Sequence, residues 1–215
     1  MKKLLLLALV LGVVTNVAAV DFEDISYAVK GGVNYTSQSN TYKDDATKKV
    51  AEAMAETGSA IGWNIGVNAE LPVADKMTLN SGAFITQRAS TITAKGETKT
   101  LLETQNALQD GSVTGMYLEV PVGVSYEVAD NFSVQAGGYF AYNLSQKQVN
   151  INSAEEDVTE DVLRKGDYGI QLGASYQIDE WTASVGYQLG LADTTISADS
   201  ETKQNTIQAQ VGYNF

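Results

Sequence analysis

No cysteine and no histidine occur in this 215-residue sequence, proline appears only 2 times, and 14 basic residues stand against 26 acidic ones. The absence of cysteine removes any disulfide framework and any lipid attachment at a processed cysteine. Without histidine the commonest general base and metal ligand is missing, and the Ser-His and Asp-His arrangements of hydrolytic catalysis cannot be built. A formal net charge of −12 argues against a nucleic-acid partner. No catalytic residue, cofactor site or metal site is therefore expected. Long hydrophobic runs are also lacking, apart from residues 4–14. That run falls short of the roughly 20 apolar residues a spanning helix needs. Lys2 and Lys3 precede it, and Val17-Ala18-Ala19 follows the polar break Thr15-Asn16. This pattern predicts a secretory signal over 1–19, cleaved after Ala19, with a single domain over 20–215.

What the chain does contain is glycine, 19 of them, 11 tyrosines, and eight segments that alternate apolar and polar residues with period two. They cover residues 25–35, 61–71, 77–89, 116–128, 132–144, 168–178, 181–191 and 205–215. In the fourth, Leu118, Val120, Val122, Val124 and Tyr126 alternate with Glu119, Pro121, Gly123, Ser125 and Glu127. In the seventh, Ala183, Val185, Tyr187 and Leu189 share a face, as do Ile207, Ala209, Val211, Tyr213 and Phe215 in the last.

Connections alternate in length. Residues 72–76, 129–131 and 179–180 read as hairpin turns, whereas 36–60, 90–115, 145–167 and 192–204 are long. Short turns on the periplasmic side and long loops outside mark an outer-membrane pattern. The expected fold is all-β: an eight-stranded antiparallel up-and-down transmembrane β-barrel with short periplasmic turns and long extracellular loops, in the outer membrane of a Gram-negative cell.

The distribution of charge separates this from a soluble secreted barrel. Within these segments the apolar face carries no Asp, Glu, Lys or Arg, while the polar face carries Lys30, Glu70, Arg88, Glu119 and Glu127 among Gly, Ser, Thr, Asn and Gln. A water-facing exterior would carry many more charges, so the polar face suits a narrow interior filled by side chains. Val120, Val122, Val124, Val185 and Val211 are then expected to face lipid. Tyr27, Tyr126, Trp181, Tyr213 and Phe215 fall near turn-side strand ends, and Trp63 and Tyr142 toward loop-side ends, as two aromatic belts. A last strand that ends on an aromatic residue resembles that of bacterial outer-membrane β-barrels, and this resemblance implies that Val211, Tyr213 and Phe215 form the recognition signal for the assembly machinery.

The five inward charges predict a lumen polar network. Arg88 and Glu119 lie at similar heights on neighbouring strands, as do Lys30 and Glu70, and each pair is expected to meet. This arrangement reads as a structural plug that compensates buried charge, with a gate or proton path as the alternative. Pro121, inward in a paired strand, predicts a bulge or bend. Residues 46–58 favour a short helix in the first long loop. Glu155, Glu156, Asp157, Glu160 and Asp161 make the third loop acidic without the spacing of a calcium loop.

The segments Tyr117-Leu118-Glu119-Val120-Pro121, Ala136-Gly137-Gly138-Tyr139, Asp167-Tyr168-Gly169-Ile170 and Tyr187-Gln188-Leu189-Gly190-Leu191 resemble, in this order, motifs of the PorT-like outer-membrane β-barrel domain family. The resemblance covers most of the chain. Gly138 stands where a proline is common in that family, and the last motif is interrupted. It implies a small outer-membrane barrel, similar in architecture to OmpX and the OmpA barrel, and transfers no catalytic residue. The function expected is structural or surface-interacting, with acidic loops outside, lipid as one partner and an external loop partner that the residues do not identify. A narrow pore is the alternative, and a membrane-embedded enzyme a third class.

Overall fold

Alternating large apolar and small polar residues give each strand two unlike faces, and such strands bury their polar backbones only by pairing on both sides. The computed structural model describes residues 24–42, 49, 55–94, 111–150, 156–157, 165–194 and 200–215. These hold β1 (Ser26–Tyr42), β2 (Ala55–Ala74), β3 (Met77–Ala94), β4 (Gly111–Ala129), β5 (Phe132–Asn150), the two-residue β6 (Glu156–Asp157), β7 (Gly166–Ile178), β8 (Trp181–Gly190) and β9 (Ser200–Asn214). Hydrogen-bonded order is β4-β3-β2-β1-β9-β8-β7-β5, and β4 pairs with β5, so eight antiparallel strands close into a ring. Closure leaves those strands no free edge. The remaining strand, β6, lies against Lys147 and Gln148 of β5.

Several strands run beyond the expected limits. β1 continues to Tyr42, opposite Ser200 of β9, and β2 begins at Ala55, opposite Ala94 of β3. Residues 55–58 of the expected loop helix are therefore strand. Lys49 is helical, and the rest of 46–54 lies outside the described residues. β4 and β5 likewise pair as far as Gly111 and Asn150. Past the apolar band both faces become polar, as at Thr36, Ser37, Gln38 and Ser39, and the period-two signal fades. Backbone pairing and β-branched threonines carry the wall onward without it. Of the acidic residues in the third loop, Glu156 and Asp157 form β6, and Glu155, Glu160 and Asp161 lie outside the described residues.

Three tight hairpins close the other end at Asp75-Lys76, Asp130-Asn131 and Asp179-Glu180. Each uses one left-handed residue, Lys76 (φ 65°), Asn131 (φ 64°) or Asp179 (φ 51°). The first is shorter than expected: Pro72 and Val73 belong to β2, with a register shift between Pro72 and Ala74. Beside that shift Leu71 is buried, although it is in step along β2 with the exposed Ile61, Ile65 and Val67. Pro121 also departs from expectation. The β3–β4 register is the same on both sides of it, Ser81 opposite Val122 and Phe84 opposite Glu119, so there is no bulge. Lacking an N–H, Pro121 opens the ladder there, and the Ser81 hydroxyl donates to its carbonyl at 3.0 Å.

Polarity is inverted relative to a soluble domain. Asn34, Thr86, Arg88, Glu119, Asp167 and Gln188 are all buried inside, while Ile61 (72 % exposed), Val185 (61 %) and Trp181 (56 %) stand outside. Such a continuous apolar exterior calls for a nonaqueous surrounding.

Candidate functional site

Arg88 on β3 is the centre of the interior. Its Nη2 donates to Glu119 Oε2 of β4 at 2.7 Å, and its Nη1 donates to Asp167 Oδ2 of β7 at 2.5 Å. Longer contacts reach Gln188 Oε1 of β8 at 3.3 Å and Gln204 Oε1 of β9 at 3.4 Å. The guanidinium carbon also lies 5.0 Å from the ring centre of Tyr117 on β4 and 5.2 Å from that of Tyr139 on β5, within cation–π range.

The surrounding groups hold one another. Tyr139 Oη donates to Asp167 Oδ2 at 3.1 Å, and Gln188 Nε2 donates to Glu119 Oε1 at 2.7 Å. Gln204 and Gln146 both donate to Tyr117 Oη, at 3.4 and 3.3 Å. Glycine is required where the rings pack: a Cβ on Gly169 would lie 2.7 Å from Tyr139 Cε1 and 2.1 Å from the Leu189 carbonyl oxygen. One guanidinium thus ties six of the eight barrel strands together, directly or through one intermediary.

Glu119 lies opposite Phe84, four residues along β3 from Arg88, and the length of the arginine side chain spans that offset. Lys30 and Glu70 also meet, Nζ to Oε1 at 3.0 Å, with Asn68 Nδ2 donating to the same oxygen at 2.8 Å. Glu127 joins neither pair. It lines the turn-side mouth and accepts the Asn131 backbone N–H at 3.2 Å, so its role in the expected network is that of a turn cap. Between these levels Asn64 bridges Asn34, at 2.5 Å, and Gln210, at 2.6 Å.

Two cavities lie along the turn-side half. A vestibule of about 310 Å³ is lined by Lys30, Glu70, Lys76, Glu127 and Gln135. Deeper, a cavity of about 50 Å³ reaches Thr86 and Glu119 under the plug. The Lys30–Glu70 pair beside the vestibule is partly exposed, which weakens its contribution. Lys30→Met is expected to change the unfolding free energy by no more than about 1 kcal/mol in a urea titration of the refolded barrel. A loss several times larger would mean that this pair shares the energetic role of Arg88.

Outside, Val124, Val185 and Val211 are exposed, with Val120 and Val122 half-buried on the same face. Tyr27, Trp63, Tyr126, Tyr142, Trp181, Tyr213 and Phe215 all project outward. Trp181 and Tyr213 pack edge to face with ring centres 5.2 Å apart, and the Phe215 N–H donates to the Tyr27 carbonyl at 3.0 Å across the β9–β1 seam.

Sequence reasoning missed Asp167, placed in a loop, and did not assign Tyr117, Tyr139, Gln188 or Gln204 to the interior. The available signal was parity. Asp167 lies two residues before Gly169, in step with Gln171 and Gly173, and Tyr117 lies two before Glu119.

No curated protein matches this sequence. Similar solved structures include Neisserial surface protein A (12 % identity, covering 88 % of this chain and 97 % of that one, TM-score 0.49). OprG of Pseudomonas aeruginosa is another (15 %, 88 % and 95 %, TM-score 0.45), as is the attachment invasion locus protein Ail of Yersinia pestis (11 %, 88 % and 99 %, TM-score 0.40). Residues 19–195 match the family of the outer membrane protein beta-barrel domain. With an apolar exterior, a closed antiparallel wall and that match over most of its length, the chain belongs to the outer membrane protein beta-barrel domain family.

Proposed function

We propose that this outer-membrane barrel is a closed wall protein with a structural or surface-interaction role, exercised through its loops and not through its lumen. The observation that supports this reading is the Arg88 plug, whose bonds to Glu119, Asp167 and Gln188 cross the interior of the barrel. Eight strands leave room for little beyond packed side chains, and here those side chains are hydrogen-bonded to one another. In this reading the polypeptide is exported by residues 1–19, and Val211, Tyr213 and Phe215 present β9 to the assembly machinery. Val120, Val122, Val124, Val185 and Val211 contact acyl chains, the aromatic rings sit at the two interfaces, and acidic residues of the third loop face outward. The Tyr117–Pro121 strand supports a PorT-like position within the family. The role is non-enzymatic, the chain lacking the histidine on which hydrolytic dyads depend.

The narrow-pore alternative has one observation in its favour, the polar vestibule that leads from the turn side to Lys30. Planar bilayers separate the two readings. The purified barrel is expected to be electrically silent, and Arg88→Ala to show openings. Steady channels from the unaltered protein would overturn the closed-wall reading.

A further inference from the structure

The outer face of the barrel is not uniform. A groove of about 530 Å³ crosses β7, β8, β9 and β1 on the lipid side, from the level of Tyr176 up to that of Val185. Gly31 and Ala183 flank Val211 in one cross-strand row, and Ala174 and Ala209 flank Val185 in the next, so small residues form its floor. Tyr176 and its cross-strand partner Phe132 stand at the β5 end.

Packing within the wall does not demand glycine at position 31. A Cβ there would meet the Asn64 carbonyl oxygen at 3.5 Å and Ile65 Cγ1 at 3.9 Å, both ordinary contacts, whereas one on the inward Gly32 would lie 2.0 Å from the Ala209 carbonyl oxygen. Glycine weakens a strand, so its place at Gly32 follows from close backbone approach and its place at Gly31 does not. What the missing side chain of Gly31 supplies is depth on the outer surface. In hydrocarbon no hydrophobic gain favours protein over neighbouring lipid, so a chain is retained by the surface it touches. One lodged in a groove is touched on three sides.

Charge at the adjoining rim bears on the headgroup. The exposed turn-side charges of the strands that form the groove, and of β5 beside them, are all acidic: Asp24 before β1, Asp130 before β5, and Asp179 and Glu180 between β7 and β8. The turn-side bases among the described residues, Lys30 and Lys76, line the vestibule inside. Such a rim repels an anionic headgroup and attracts an ammonium. We propose that the groove holds an acyl chain of an amine-headed, zwitterionic glycerophospholipid of the periplasmic leaflet, its ammonium set against Asp179 and Glu180. The site lies on the outside of the wall, so it stands or falls independently of whether the lumen conducts.

The test is native mass spectrometry of the full refolded barrel, released from vesicles holding equal amounts of phosphatidylethanolamine and phosphatidylglycerol with the same acyl chains. One phosphatidylethanolamine is expected to stay with each barrel, in several-fold excess over phosphatidylglycerol. Gly31→Leu and Ala209→Leu, singly and together, fill the groove from positions that face lipid; each variant should keep the mobility of a folded barrel on electrophoresis and lose most of the retained lipid. Asp179→Asn with Glu180→Gln leaves the groove open and should make retention of the two lipids equal. Equal retention by the unaltered barrel, or retention undiminished when the groove is filled, would overturn the proposal. A mass of two barrels that disappears on filling the groove would overturn it as well, since the occupant would then be a second copy of the chain.

Discussion

Arg88→Ala is expected to remove about 3 to 5 kcal/mol of stability, because it strands two buried carboxylates at once. Glu119 and Asp167 are 3 % and 1 % exposed, and the guanidinium is the charge that both of them contact. The variant also releases Tyr117 and Tyr139, whose rings lie 5.0 and 5.2 Å from the guanidinium carbon. Urea unfolding of the refolded protein, followed by the mobility shift of folded barrels on electrophoresis, measures the loss. Glu119→Ala should lower the melting temperature for the reciprocal reason, leaving Arg88 with one carboxylate partner. The neutral combination Arg88→Met, Glu119→Gln, Asp167→Asn should recover most of the stability, since what costs energy is the uncompensated charge and not the absence of the ion pair. If Arg88→Ala stayed within about 1 kcal/mol of the unaltered protein, water would be solvating the carboxylates and the interior would not be dry.

Val185→Arg is expected to cost about 2 to 4 kcal/mol in a bilayer, through an unrelated mechanism. Val185 is 61 % exposed on the outer face of β8, four residues along from Trp181 and two from Tyr187, so it lies between the two aromatic levels. An arginine there must carry its charge into hydrocarbon. The same substitution at Tyr213, in the turn-side belt, should cost about 0 to 1 kcal/mol of charge penalty, because the side chain reaches the interface. The contrast between the two positions in reversible folding into lipid vesicles checks the depth assignment. Equal costs would show that the apolar band is not centred where Val185 lies. Val122→Arg should behave as Val185→Arg does, since both are outward between the same belts.

Legibility differed with distance from the apolar band. The alternation Leu118, Val120, Val122, Val124, Tyr126 against Glu119, Pro121, Gly123, Ser125, Glu127 could be read directly, because a pleated strand turns period two into two faces. Where both faces turn polar, as at residues 36–42 and 90–94, the chain continues as strand on backbone hydrogen bonds that leave no hydropathy signature. Residues 55–58 illustrate the conflict: helix-favouring composition nearby, yet a ladder to β3 that overrides it. Pro121 could be recognised as anomalous from sequence, but whether a strand answers a missing donor with a bulge or with an interrupted ladder depends on the neighbour, here Ser81.

The candidate site was half visible. Lys30 with Glu70 and Arg88 with Glu119 lie on sequence-adjacent strands, so hairpin geometry alone brings them near. Asp167 is 79 residues from Arg88 on a strand across the barrel, and Gln188 is 100 residues away. By itself the sequence determined the two-faced strands, their number, the side that is charge-free and the inward direction of Arg88. Only the tertiary structure decided that Asp167, Tyr117, Tyr139 and Gln188 converge on that arginine. The face of a residue follows from local chirality and pleat. Its partner across a barrel follows from closure and register, which no single segment of chain contains.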